Sequence, residues 1–586
     1  MTRLEQKPDR SWQWWPTGYV ACMAIVMLGY VRFDSYQIDG DAVSYMDLAS
    51  SLLHGRWHEA VNGLWNPGYP ALLAVGKLFA HADRMHELQV FYWVNYFIFL
   101  GSIACAWFFV RSMLCVRRAC VERVGGALWA LPDRLFYLVA YSVLFVSWTH
   151  EFSLGKIRVD GLFASLLLLA FGFLLRAVFT PRPIFDILLG ISLGLAYLVK
   201  SPGFVIAVVT FFLLAIYSMG GTPAKYRRRG VLISAVMFVV IAGPYMAALS
   251  LQKGRPDFGD SAKLNYAWLV DGTAPQDLLN NQPARFGISA VLLKHSEIEL
   301  LSKPVVVYFP HFHHATYGPW FDPSYFNEGI KPQVNLGRQL RLFLQQSRHF
   351  LRFVVIHAVP LAFLIFCFAC GMRIVREPSA RRMLLLIYAV TLFSFVMYLA
   401  VHFLDRYVGG QLWIVLLATV GLLTAKDAGR KYLVEGAAAF LAIAVLLFGL
   451  QLVMQQRQTV VLHGLGHGWH NPAEFDTATL LRQKGIVPGD TVACFRACNE
   501  GTYWARLAGV RVVAEIYDPA YMTDSETGNE IWRKLPNKQQ ALDALRSTGA
   551  KALVGYFENP PGSDGWQHLA GGYYLISLRG IPQVSQ

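Results

Sequence analysis

Runs of about 17–22 apolar residues, separated by short polar connections, recur up to about residue 455. As a helix, a run of that length crosses the hydrocarbon core of a bilayer. Within hydrocarbon every backbone N–H and C=O must find its partner inside the protein, so such runs have few options besides helix. The fold class expected is therefore a polytopic α-helical membrane protein with about eleven transmembrane helices. Their approximate positions are 17–33, 88–110, 132–150, 161–179, 184–200, 202–219, 231–251, 351–372, 383–402, 407–424 and 433–454. Only 15% of the residues are charged, against about 25% in a soluble domain. No small-residue cleavage pattern follows the first run, so it reads as a retained helix.

The net charge of +14 would suggest nucleic acid in a soluble protein. Here the basic residues collect in alternate connections, as the positive-inside rule requires, and no nucleic-acid partner is implied. Arg111, Arg117, Arg118 and Arg123 share one connection, and Lys225, Arg227, Arg228 and Arg229 another. Arg373, Arg376, Arg381 and Arg382 form a third, and Lys426, Arg430 and Lys431 a fourth. With these in the cytoplasm, so is the N-terminus with Arg3, Lys7 and Arg10. Three long stretches then lie outside: about 34–87, about 252–350 and everything after about 455. The domains expected are a membrane domain, 1–455, with outer loops 34–87 and 252–350, and an extracytoplasmic α/β domain, 456–586. In that tail, strand-like runs at 491–495, 510–516, 552–556 and 573–578 alternate with helix-like runs at 475–484 and 538–547. No glycine-rich phosphate loop opens any of these helices. Cys494 and Cys498 are placed for a disulfide if the tail is extracytoplasmic.

The first outer stretch holds Asp39, Asp41 and Asp47 where a membrane helix should have ended. Leu48, Leu52 and Leu53 then follow at helical spacing up to Gly55, which reads as an amphipathic helix lying on the membrane surface. Asp41 suits the N-cap of a helix starting at Ala42, and Asp39 a turn. The two acids together also suit a base that removes a proton from a hydroxyl. Ile288 to Leu301 and Gln339 to Phe350 read as two further interfacial helices. Glu151, Arg158 and Asp160 mark the second outer turn. Lys200 and Arg406 close or open apolar runs at the outer face, where an unpaired charge is costly unless it is used. His311 and His313, with Glu151, are candidate ligands for a divalent metal.

In order and in shared membrane side, these positions resemble the GT-C class of lipid-dependent membrane glycosyltransferases, of the protein O-mannosyltransferase and aminoarabinose transferase type. The resemblance rests on Asp41 and Tyr45 before a helix, the Pro67-Gly-Tyr-Pro70 turn with Tyr69, Arg158-Val-Asp160, Lys200-Ser-Pro202 and Arg406-Tyr407. It covers about residues 17–455. Two departures stand out: an Asp39-Gly-Asp41 pair replaces Asp-Glu, and Val408-Gly-Gly-Gln411 replaces a proline-containing segment. The resemblance implies a polyprenyl-phosphate-linked sugar donor and a glycan, lipid or protein acceptor, in the bacterial inner membrane. It implies Asp41, Asp39 and Asp160 as catalytic acids. Tyr45, Tyr69, Arg158, Lys200 and Arg406 would meet the sugar or the lipid phosphate. A lipid or glycan transporter or flippase, or a non-catalytic envelope assembly protein, is the competing expectation.

Overall fold

The computed structural model describes residues 14–33, 38–125, 128–219, 224–271, 293–295, 297–462, 472–496, 498, 501–516, 527–562 and 564–579. Arg3, Lys7 and Arg10, residues 288–292 of the first expected interfacial helix, and the side chains of Lys225 and Arg227 lie outside them.

All eleven apolar runs are helical. In chain order the helices up to residue 265 are α1 (Trp14–Phe33), α2 (Gly40–Leu53), α3 (Gly68–Ala80), α4 (Glu87–Val124), α5 (Asp133–Ser147), α6 (Asp160–Phe179), α7 (Pro183–Val199), α8 (Pro202–Met219), α9 (Ala224–Lys253) and α10 (Ser261–Asn265). Then come two short helices, α11 (Gly318–Phe321) and α12 (Pro323–Phe326), followed by α13 (Leu336–Ile356), α14 (Ala358–Ala369), α15 (Pro378–Val401), α16 (Asp405–Gly421) and α17 (Lys431–Leu462). Among the described residues eight helices are long and apolar enough to cross a membrane, or nine if α13 and α14, bent by 69°, form one span. α7 and α16, each 17 residues, fall short of that length. Both stop at the same place: α7 ends at Lys200 and α16 starts beside Arg406.

Three connections assigned to one side by their basic residues are joined in space. Strands β1 (Trp129–Ala130), β4 (Arg373–Ile374) and β5 (Leu423–Ala425) make one small sheet with β5 central. The first of these connections is shorter than expected. α4 runs on to Val124, and Arg117 is buried on it, donating to the Leu131 carbonyl and pairing with Asp133.

At the other end lies a seven-stranded sheet in the order β2-β3-β7-β6-β8-β10-β9. The tail supplies β6 (Thr491–Phe495), β7 (Arg511–Ile516), β8 (Ala552–Tyr556), β9 (Gln567–His568) and β10 (Tyr573–Ser577). β6 runs parallel to β7 and β8, the arrangement that alternating strands and helices produce. The edge hairpin, β2 (Ile298–Ser302) and β3 (Val305–Tyr308), comes from the second outer loop. Ile298 and Leu301 are therefore on a strand, not on the interfacial helix expected there. Val305-Val-Val-Tyr308 is β-branched and aromatic, and once β7 offers an unpaired edge, extended pairing wins over an isolated helical turn. Tyr317, following the hairpin, donates to Glu515 of β7 at 2.9 Å, and burial pushes that carboxyl up to about 7. Cys494 and Cys498 are joined by a disulfide. Residues 339–350, expected as the second interfacial helix, are helical within α13, whose Leu336, Leu340, Leu344, Leu351 and Val355 are exposed.

α2 does not lie on a membrane surface. Every residue from Ala42 to Ser51 is buried. The 316–326 segment and the tail cover the face that sequence periodicity assigned to water or headgroups. Ser44 donates to the Trp320 carbonyl at 2.9 Å, and Asp47 accepts from the Thr316 amide at 2.7 Å.

Candidate active site

The acids at the entrance of α2 are divided by helix capping. Asp39 has extended backbone and is the N-cap, accepting from the Ala42 amide at 3.0 Å. Its other oxygen accepts from Arg158 Nη2 at 2.9 Å. The cap is thus Asp39, not Asp41: the helix starts earlier than its apolar pattern indicates, because the small Gly40 continues it. Asp41 is released from capping and turns into a cavity of about 240 Å³. Asp47, the third acid, points the opposite way and is structural.

Asp41, Tyr45, Arg158, Asp160, Lys200 and Arg406 all line that cavity. Asp160 opens α6 and accepts from Lys200 Nζ at 2.6 Å, while Arg406 Nε lies 3.5 Å from its other oxygen. Arg406 Nη2 is 3.7 Å from Asp41 Oδ2, and Trp320 Nε1 donates to Asp41 Oδ1 at 3.2 Å. Lys200 Nζ sits 3.6 Å from the centre of the Tyr407 ring, a cation–π contact. Three acids thus face three cations, which keeps so much buried charge tolerable at this depth. Burial pushes the Asp41 carboxyl up to about 6; the negative charge of Asp39 adds to this and Arg406 opposes it.

Glycines let the walls close. A Cβ on Gly68 would meet the Leu198 carbonyl at 2.7 Å, so α3 can pack against the end of α7 just before Lys200. Pro67-Gly-Tyr-Pro70 therefore begins a helix instead of forming a turn. A Cβ on Gly410 would stand 2.6 Å from Ala164 of α6, and one on Gly409 would stand 2.1 Å from Glu151 Oε2. The Gly409-Gly410 pair, one helical turn past Arg406, thus lets α16 approach α6 closely enough for Arg406 to reach both Asp41 and Asp160. Gly409→Ala should destabilise the folded protein by about 1–3 kcal/mol through overpacking. Thermal unfolding in detergent checks this; an unchanged midpoint would show that the contact is slack.

Tyr69 does not face the cavity. It is buried, donates to Asn95 at 2.8 Å and packs edge-on against Tyr45 at 5.5 Å, so it supports a lining residue. Among the aromatic residues of the outer loops, Trp65 and Trp320 line the cavity, whereas Trp57 is 67% exposed. Sequence reasoning missed Trp268, Ser261, Asn265 and His402 on the same wall. Trp268 stacks on Trp320 with centroids 5.8 Å apart. Nothing in its local sequence distinguishes it from an interfacial anchor. His402 alone had a signal, since it lies four residues before Arg406.

The suggested metal ligands are not brought together. His311 packs edge-on against Tyr325, His313 faces Arg511 at 3.2 Å, and Glu151 is buried beside His357. Among the described residues no group of three or more His, Cys, Asp or Glu side chains is placed to hold a metal ion. The cavity carboxylates fit a divalent ion poorly as well, each being already matched by an arginine or lysine.

No family model matches the chain, and no curated protein matches it. Solved structures do resemble it. The oligosaccharyltransferase of Archaeoglobus fulgidus, crystallised with Zn and sulfate, is 13% identical with a TM-score of 0.47, the match covering 92% of this chain and 68% of that one. ArnT from Cupriavidus metallidurans in the apo state is 12% identical with a TM-score of 0.46, covering 96% and 98%. The same protein bound to undecaprenyl phosphate gives 12%, 0.43, 98% and 99%.

Proposed function

We propose that this chain is a membrane glycosyltransferase, moving a sugar from a polyprenyl-phosphate donor to an extracytoplasmic hydroxyl by single displacement. The observation that carries the reading is the convergence of Asp41 and Asp160 with Lys200, Arg158 and Arg406 on one cavity walled by Tyr45, Trp65, Trp268 and Trp320. Asp41 is the better base of the first pair, because Asp39 is spent on the helix cap and on Arg158. In the step, the acceptor oxygen bonds to the anomeric carbon while the bond from that carbon to the phosphate oxygen breaks. The hydroxyl proton passes to Asp41, and the bonding pair leaves on the lipid phosphate. Charge grows on that phosphate, where the Lys200 ammonium and the guanidinium of Arg406 would stabilise it more than they stabilise the bound donor. Asp160 holds both cations toward the cavity. The aromatic walls suit the apolar faces of a sugar ring. The cytoplasmic N-terminus and extracytoplasmic tail belong to this reading, since a lipid-linked donor would then meet the cavity on the outer face. No metal ion is needed to account for the charge at this site.

The test is incubation of the purified protein with a radiolabelled polyprenyl-phosphate sugar and a panel of glycan, lipid and protein acceptors. Transfer is expected. Because Asp41 must be ionised to accept a proton, and its carboxyl is raised to about 6, the rate should climb as pH rises through that value and level off above it. Absence of transfer from wild type, or a rate that falls over the same rise in pH, would overturn the reading.

A further inference from the structure

Behind the cavity wall, two departures from regular helix and one glycine meet at one buried point. α5 ends in a π-turn, Trp148–Phe152, which carries Glu151. The 69° bend between α13 and α14 falls at His357. α16 presents Gly409. The Glu151 and His357 side chains are fully buried, with Glu151 Oε1 3.6 Å from His357 Nε2. His357 Nδ1 is 3.1 Å from the Phe353 carbonyl, so it carries a proton and donates there. Trp413 Nε1 donates to Ser147 Oγ at 2.8 Å, and that hydroxyl lies 3.1 Å from His357 Nε2. Among the described residues no arginine or lysine pairs with Glu151. A lone carboxylate at this depth is costly, whereas a carboxyl that keeps its proton beside a neutral imidazole carries no charge. π-turns and bends persist where something holds them, and they gather at functional sites.

We propose that Glu151 and His357, buried side by side without charge, act as a positioning pair for Arg406. The carboxyl presses on the Gly409 backbone, which sets where α16 enters the cavity. Trp148, from the same π-turn, fills the space beside Gly161, next to Asp160, where a Cβ would stand 2.7 Å from its ring. The π-turn that carries Glu151 therefore touches the walls carrying both ends of the Arg406–Asp160 contact. It would govern how tightly a phosphate-bearing lipid binds, without touching the reacting atoms. This rests on the proposed role of Arg406 toward a lipid phosphate.

The experiment measures binding of polyprenyl phosphate itself, together with KM and kcat for the labelled donor. The variants are Glu151→Leu, Glu151→Gln and His357→Leu, each checked by thermal unfolding. Glu151→Leu and His357→Leu should weaken binding of polyprenyl phosphate about tenfold and lower kcat/KM for the donor by about as much, the size expected for a displaced phosphate contact. Glu151→Gln keeps the shape and a donor for His357, and should restore binding to within about threefold of wild type. The inference falls if Glu151→Leu binds the lipid as wild type does. It also falls if a folded Glu151→Gln is as impaired as Glu151→Leu, or if kcat/KM falls while binding of polyprenyl phosphate stays at the wild-type value. Wild type that binds polyprenyl phosphate yet transfers nothing would sink the transferase reading while the binding ratios still judge this pair.

Discussion

Asp41→Asn should lower the rate of sugar transfer by about 10²–10⁴-fold, the usual worth of a positioned general base. Asparagine fills the same space and keeps the Trp320 contact, which is to Oδ1 at 3.2 Å. What it loses is a site for the acceptor proton and the charge 3.7 Å from Arg406. Donor binding should change little, so the loss appears in kcat. The acid limb centred near 6, which is the value to which burial raises this carboxyl, should vanish from the residual activity. Asp39→Asn is the control, because asparagine caps a helix about as well as aspartate. It removes the Arg158 ion pair and lessens the repulsion on Asp41, so its expected effect is below about tenfold, with the acid limb moved to lower pH. Single-turnover rates with prebound donor separate the two variants. Full activity in Asp41→Asn would remove it from the chemistry.

The second large effect lies farther along α2, at residues that do not line the cavity. Arg506, in the short helix Tyr503–Ala508 of the tail, is 1% exposed. Its Nε and Nη2 donate to the two oxygens of Glu87 at 2.6 and 3.0 Å, a bidentate fork. Nη2 also reaches Ser50 Oγ at 3.0 Å, and Nη1 pairs with Asp47. Arg506→Met leaves Glu87 and Asp47 buried without their main counter-charge; Lys77 still pairs with Glu87. Breaking such a network from one side costs about 3–5 kcal/mol. The thermal midpoint in detergent should drop by several degrees, and limited proteolysis should release the tail early. Arg506→Lys keeps the charge but not the fork and should fall between. Asp47 also accepts from the Thr316 amide and hydroxyl, at 2.7 and 3.0 Å, so α2 is gripped by tail and loop together. A variant with unchanged stability would mean that the tail is held by its apolar contacts alone.

The span positions were legible because a bilayer leaves a 17–22-residue apolar run little alternative to helix, although several helices run well beyond the apolar run, α4 to Val124 and α13 from Leu336. The tail's strands and helices were legible for a related reason: runs such as Val512-Val-Ala514 and Ala552-Leu-Val554 are apolar without helical spacing. Ile298 to Leu301 was misread because it pairs with β3, and β3 in turn pairs with β7, more than 200 residues away; no local pattern encodes that distant edge. α2 was misread for the same kind of reason: its periodicity is amphipathic, but what covers its polar face is the 316–326 segment and Arg506.

The sequence by itself determined the class of protein and the short set of charged residues at the ends of apolar runs, because the cost of burying charge in lipid makes those few positions conspicuous. Only the tertiary structure decided their division of labour. Whether Asp39 or Asp41 caps α2 turns on a backbone angle, and whether Arg406 reaches Asp160 turns on two glycines meeting Ala164 and Glu151. Glu151 became the partner of His357, some 206 residues along the chain, instead of a metal ligand. Such choices rest on contacts of an ångström or two between remote segments, and packing alone supplies them.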